Sequence, residues 1–236
     1  PRIIEDPCTN VRWSAVRLIG HLGSLVLVEV LRKALQDQEW VVRNQAHLAV
    51  ASFLRSLPQE LPEEQLRTLV RLLAIPDGEV SGLVIEALAR RSTRALPLMI
   101  ATMESTSPMI RTRMTTALGL SQDPRAVPAL LAAGNDAVKE VRLETARALG
   151  LIQDRRALDL LVKMLGDPDR RVCLAAVEAL VAMGREAVPH LLAGLEHSTI
   201  KRQQRYIVQG LGEIGDRRAL VPLLNMLRSS YHVIRV

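Results

Sequence analysis

Apolar residues recur along this chain with the period of a helix. Seven stretches place them at i, i+4, i+7, i+8 and i+11, which is one stripe of an α-helix. The fifth stretch reads Val141, Thr145, Ala148, Leu149 and Ile152, and the sixth reads Val172, Ala176, Ala179, Leu180 and Met183. The first gives Val11, Ala15, Leu18, Ile19 and Leu22; the others begin at Val42, Val80, Ile110 and Gln203. A shorter stripe follows most of them, as in Leu66, Leu69, Val70, Leu73 and in Leu158, Leu161, Val162, Leu165, with a last copy at Leu220, Leu223, Leu224, Leu227. Pro97, Pro128 and Pro189 are expected at the opening of this second helix, where a missing N–H costs nothing. Each unit is therefore a helical hairpin that cannot bury its stripes alone, so the units must stack. The spacing is 31 residues, except that the second unit runs to 38, with the extra length around Leu57–Glu64. The reading is all-α: a right-handed α-solenoid of about seven hairpins forming one array over residues 1–236.

The turns carry a second signature. Asp6 and Arg12, Asp37 and Arg43, and Asp136 and Arg142 are each six apart; Ser105 and Arg111, and Ser229 and Arg235, keep the spacing with Ser. Asp or Ser here is expected to cap the following helix. The Arg is expected to reach a carboxylate in its own or the neighbouring turn, giving a ladder along the stack. That ladder is broken at Ser81, Cys173 and Gln204.

These residues resemble the HEAT-repeat family, in the short bacterial subtype first described in phycobilisome (bilin) lyases. The resemblance rests on the Val-Arg pairs (Val11-Arg12, Val42-Arg43, Val141-Arg142) and the Ala-Leu-Gly steps ending at Gly119 and Gly150. The Asp-x-Arg-Ala openings at Asp123–Ala126 and Asp216–Ala219 add to it. It implies a fold and leaves function open, since such repeats serve unrelated tasks.

Composition narrows the classes. The chain is 48% hydrophobic but only 2% aromatic, so its core is built from Leu, Val, Ile and Ala. No apolar stretch approaches the roughly 20 residues a bilayer requires. The two cysteines, Cys8 and Cys173, match no metal spacing, and no basic-then-apolar leader is visible; a cytoplasmic protein, or a cytoplasmic module of a larger one, is the expectation. The chain opens on the second half of a hairpin and stops in an apolar tail, Tyr231–Val236, so a segment of a longer protein is expected.

Candidate chemistry is sparse, and the chain reads as no enzyme, with no cofactor and no metal. Gly210-Leu-Gly212-Glu-Ile-Gly215 matches a dinucleotide fingerprint but lacks the preceding strand. Gly212 and Gly215 align with Gly20 and Gly23, as positions for close packing and helix termination. Deoxyhypusine hydroxylases, which resemble HEAT-repeat proteins, hold iron with His-Glu pairs, and no His-Glu dipeptide occurs here. Asp167-Pro168-Asp169 reads as a helix cap. Arg outnumbers Lys 27 to 4, and residues 200–236 carry seven basic groups against Glu213 and Asp216, a balance of +5.

The resemblance implies that the Val-Arg helices line a concave side. The out-of-phase residues on them form the expected partner-binding array: Trp13, Arg17, Asn44, Gln45, Arg113, Glu144, Arg147, Glu178, Arg202, Arg205, Tyr206 and Gln209. Trp, Tyr and Arg are the types that most often dominate binding energy. The function expected is a non-enzymatic scaffold that holds a partner protein or peptide on this face. Two alternatives stand beside it: a bilin-lyase-like subunit acting on a phycobiliprotein, and nucleic-acid binding through the basic C-terminal end. Nucleic acid is disfavoured because stacking aromatics are almost absent.

Overall fold

A computed structural model describes residues 2–22 and 28–225. Among them there is no strand. The chain divides into two compact units, Pro1–Ser121 and Gln122–Val236. The first holds α1 (Thr9–Leu22), α2 (Val28–Ala34), α3 (Trp40–Ser56), α4 (Glu63–Leu72), α5 (Gly78–Ala89), α6 (Ser92–Thr102) and α7 (Pro108–Ser121). The second holds α8 (Val127–Ala133), α9 (Lys139–Ile152), α10 (Leu158–Met164), α11 (Arg170–Met183), α12 (Val188–His197) and α13 (Lys201–Ile214). The odd-numbered helices are the Val-Arg helices.

The stripes are the core. Val80, Val84 and Leu88 of α5, Val141 and Leu149 of α9, and Val172, Ala176 and Leu180 of α11 are fully buried. The second helices contribute Leu69, Met99, Leu130, Leu161 and Leu191, equally buried. Within each unit the Val-Arg helices pack hardest on one another, α1 on α3 and α9 on α11. Small residues allow it. A Cβ on Gly20 would lie 2.7 Å from the Ala49 Cβ, and one on Gly150 would lie 2.9 Å from the Ala179 Cβ.

Three expectations need correction. The first stripe is only partly buried: Val11 and Leu18 are exposed, while Arg12, Ala15 and Val16 face the neighbouring helix. In α11 the matching Val172 and Ala179 are buried, and α11 packs against both α9 and α13, whereas among the described residues α1 packs against one Val-Arg helix, α3. Pro97 lies inside α6 instead of opening it. The turns after α7 and α9 break into short 3-10 segments (Pro124–Ala126, Arg155–Ala157), whereas α6 starts directly at Ser92. Its proline therefore forgoes the bond to the Thr93 carbonyl. Leu220 and Leu224 of the last short stripe are exposed, and Leu227 and the tail Tyr231–Val236 lie outside the described residues.

The extra length of the second unit is pinned down. Arg91 is buried and donates to the carbonyls of Leu57, Pro58 and Ala87 at 2.6, 2.8 and 2.8 Å. Leu61 inserts into the core beside it. Burial lowers the Arg91 pKa, the neighbouring Arg90 adding to the shift. A cation is tolerated there because three carbonyls replace its water.

Candidate partner-binding face

The turn ladder sets the register of every helix that bears the candidate residues. Arg12 grips Asp37 of the next turn through Nε and Nη2 (2.7 and 3.0 Å), while its Nη1 donates to the Asp6 carbonyl at 2.8 Å. Arg142 repeats this on Asp167 (2.7 and 3.0 Å) and on the Asp136 carbonyl (2.8 Å). These two-toothed pairs cross from one turn to the next. The bond from Arg12 holds the Asp37 carboxyl below its ordinary pKa.

The turn acid itself acts differently from expectation. Asp6, Asp37, Asp136 and Asp167 accept from the N–H two residues on, shaping an Asx turn ahead of the helix. The helix cap proper falls on Asp169 of α11 and Asp77 of α5. Where the Arg is missing, its backbone role survives. Cys173 Sγ donates to the Asp167 carbonyl at 3.3 Å, and Gln204 Nε2 to the Ser198 carbonyl at 2.7 Å. Where Ser81 replaces the Arg, Arg113 of α7 reaches across and donates to the carbonyls of Leu73 and Ile75.

That last contact changes the reading of Arg113. It is half-buried and committed to the end of α4, with its pKa lowered by burial. Tyr206 is also corrected: at 5% exposure its ring belongs to the core of the second unit. The other candidates reach solvent. Arg17 is exposed and lies over the Trp13 ring, 5.4 Å from its centroid. Asn44 is exposed and Gln45 half-buried on α3. Arg147 donates to the half-buried Glu144 at 2.7 Å. Glu178 is exposed; Gln209 donates to Glu213 at 2.9 Å. Arg202 donates to the Gly166 carbonyl at 2.9 Å, and Arg205 is exposed.

The sequence reading missed the apolar members of this face. Val41, Leu48, Met109, Leu120 and Leu151 are exposed by 43, 57, 37, 46 and 46%. All sit on Val-Arg helices. By contrast α4, α6, α8, α10 and α12 carry no large exposed apolar residue. The signal was available, because these positions fall outside the buried stripe.

The remaining candidate chemistry has structural roles. Gly210 and Gly212 lie within α13, and Gly215 ends it at φ +66°, its N–H on the Leu211 carbonyl. Gly212 has open space where a Cβ would stand, so it is no packing position, while Gly23 lies outside the described residues. Of the basic end, Arg218 is folded onto Asp216. Arg228 and Arg235 lie outside the described residues. Among the described residues no three metal-binding side chains gather, and no helix is long and apolar enough to cross a membrane.

With hairpins, turn ladder and stripe on the page, comparison with known proteins fixes the family. The HEAT repeats family matches at residues 1–89, 66–142 and 129–205. The chain belongs to the HEAT-repeat family. A PBS lyase HEAT-like repeat matches residues 203–229 of this HEAT array. Among solved structures, Kap95p, studied for its binding to RanGDP, is 12% identical over 90% of this chain and 35% of its own, with a TM-score of 0.55. Human deoxyhypusine hydroxylase is 18% identical over 90% of this chain and 82% of its own, at 0.43. An engineered protein is 22% identical over 90% and 66%, at 0.45. At 12% identity the likeness to Kap95p speaks for the α-solenoid fold alone. The HEAT chain spans about a third of Kap95p. No curated protein sequence matches it.

Proposed function

We propose that this HEAT-repeat chain is a non-enzymatic scaffold that holds a partner protein or peptide against its Val-Arg helices. One observation carries the reading: large apolar side chains stand in solvent on those helices and not on α4, α6, α8, α10 and α12, Leu220, Val221 and Leu224 on the last second-helix stretch being the exception. Exposed apolar area concentrated on one layer marks a contact surface. Trp13 and Arg17 supply anchor types that dominate interfaces. Within each unit the Val-Arg helices pack more closely on one another, α1 on α3 and α9 on α11, than the second helices do, which also supports them as the concave side, because a stack bends toward its closer-packed layer. A pre-formed helical surface loses little ordering entropy on binding.

The test is the double variant Leu48→Glu, Leu120→Glu, both at exposed positions. It is expected to keep the helical circular dichroism and thermal midpoint of the parent chain while partner retention on an affinity column falls at least about tenfold. Unchanged retention would overturn the assignment of this face.

A further inference from the structure

The Val-Arg helices of the second unit open on different charges. Asp169 opens α11: its carboxylate accepts from the Arg171 N–H at 2.8 Å, and pairs with the Arg171 guanidinium at 3.0 Å and with Lys139 of α9 at 3.6 Å. Glu140, in the first turn of α9, faces the same Arg171 at 3.6 Å. Lys139 and Arg171 therefore both find carboxylates within the unit.

At α13 the acids are gone and the cations remain. Ile200 stands at the register of Asp169, so no side chain caps the helix, and its first turn holds no acid. Lys201 stands at the register of Lys139 and Arg202 at that of Arg171, with Arg205 a turn further on; all three are exposed. Among the described residues none of them has a carboxylate at ion-pair distance, and Arg202 gives one N–H to the Gly166 carbonyl. Glu213 of the same helix accepts from Gln209 instead. This arrangement works against the helix. Lys201 and Arg205 are like charges one turn apart, and cations at a helix N-terminus oppose its dipole. Within the unit neither side chain makes a hydrogen bond that offsets the repulsion.

We infer that an acidic segment of the partner polypeptide settles on the opening turns of α13 and supplies the carboxylates that Asp169 and Glu140 supply to α11 and α9. The inference rests on the Val-Arg helices being the recognising layer. One partner carboxylate pairs with Lys201 and Arg202, as Asp169 does with Lys139 and Arg171. A second pairs with Arg205, whose forked guanidinium suits a carboxylate. Ile200, 48% exposed at the same end, meets an aliphatic neighbour of those acids. A polypeptide fits this surface better than a nucleic acid. Tyr206, the aromatic residue of α13, is buried in the core, so it offers no platform for a base.

The experiment uses the full chain and a short fluorescein-labelled peptide in which Asp and Glu surround a Leu. The control peptide carries Asn and Gln instead. Fluorescence anisotropy at low ionic strength should show the acidic peptide binding at least about tenfold more tightly than its amide control. The double variant Lys201→Gln, Arg205→Gln should weaken the acidic peptide at least about tenfold. Its thermal midpoint should not fall, because the change removes a repulsion from an exposed surface. Unlabelled duplex DNA should displace less of the bound peptide than the unlabelled acidic peptide does. Leu48→Glu, Leu120→Glu lies in the first unit and should leave this affinity unchanged, so a failure of the apolar face and a failure of this site are read separately. Equal affinity for the two peptides, no binding of either, a Lys201→Gln, Arg205→Gln variant that binds like the parent, or duplex that displaces the peptide better than the peptide itself would overturn the inference.

Discussion

The two units solve the same problem by different means. In Gln122–Val236 four turns close with their own residues. Asp123 takes Arg125, Asp154 takes Arg156, Asp169 takes Arg171 and Asp216 takes Arg218. The acid caps the backbone two residues on while holding the guanidinium beside it. Arg156 and Arg218 of these clasps also reach back to the Pro124 and Arg185 carbonyls. In Pro1–Ser121, among the described residues, the long reaches stand without such clasps: Arg91 ties down three carbonyls, and Arg113 serves the turn left bare by Ser81. The faces differ less. The first unit's Val-Arg helices expose Val41, Leu48, Met109 and Leu120, the second unit's Leu151 and Val208, and both carry ion pairs such as Arg90–Glu86 and Arg147–Glu144.

The comparison can be broken at several points. The largest effect is expected from Leu149→Ala, at a fully buried position of α9. It should cost about 2–5 kcal/mol. Because repeats couple to neighbours, hydrogen-exchange protection should fall first in α8 to α11. Uniform loss along the whole chain would contradict that. Next comes Arg91→Ala, which strips the carbonyls of Leu57, Pro58 and Ala87 of their donor. Roughly 3 kcal/mol should be lost, with new protease cleavage between Leu57 and Pro62 as the local signature. The same replacement at Arg125, whose guanidinium is exposed, should leave the melting temperature nearly unchanged.

Acid should separate the units more gently. Hydrogen bonds from their arginines hold the Asp123, Asp154 and Asp169 carboxyls below the ordinary range, and that from Arg218 takes Asp216 down to about 2. A folded-state pKa below the unfolded value of about 3.9 adds stability above that pH. This share is lost as pH falls from about 4 toward 2. Arg91 and Arg113 hold neutral carbonyls, which do not titrate there; Asp37, lowered by Arg12, and Glu5, lowered by Lys33, are acid-sensitive pairs of the first unit. Amide exchange followed from pH 5 to 2 should show the second unit's opening turns loosening while the Arg91 loop holds. The smallest effect is expected from Gln153→Gly. Gln153 ends α9 at φ +55°, a conformation glycine adopts freely, so the melting temperature should rise by the equivalent of about 0.5 kcal/mol.

Much of this was legible in the residues. The i, i+4, i+7, i+8, i+11 stripe placed the Val-Arg helices, and the six-residue Asp–Arg spacing announced a ladder, because both depend on short-range periodicity. What escaped was decided by distant chain. Arg91 stands at the last stripe position of the third stretch, and it is buried there because a loop more than 30 residues earlier satisfies it. Arg113 read as a surface arginine, yet it repairs a turn at the far end of α4. Tyr206 read as a surface anchor because its register is polar elsewhere; Ala175, at the same register of α11, is buried too. Val11 and Leu18 match the buried pattern but stand on a helix covered on one side.

The central claim is that the Val-Arg helices do the recognising, and site-specific photo-crosslinking tests it most directly. A benzophenone side chain would be placed in turn at Leu48 and Leu120, and at Arg67 and Leu131 on the second helices. Adducts with the bound partner are expected from the first pair and not from the second. Crosslinks confined to Arg67 and Leu131 would contradict the account.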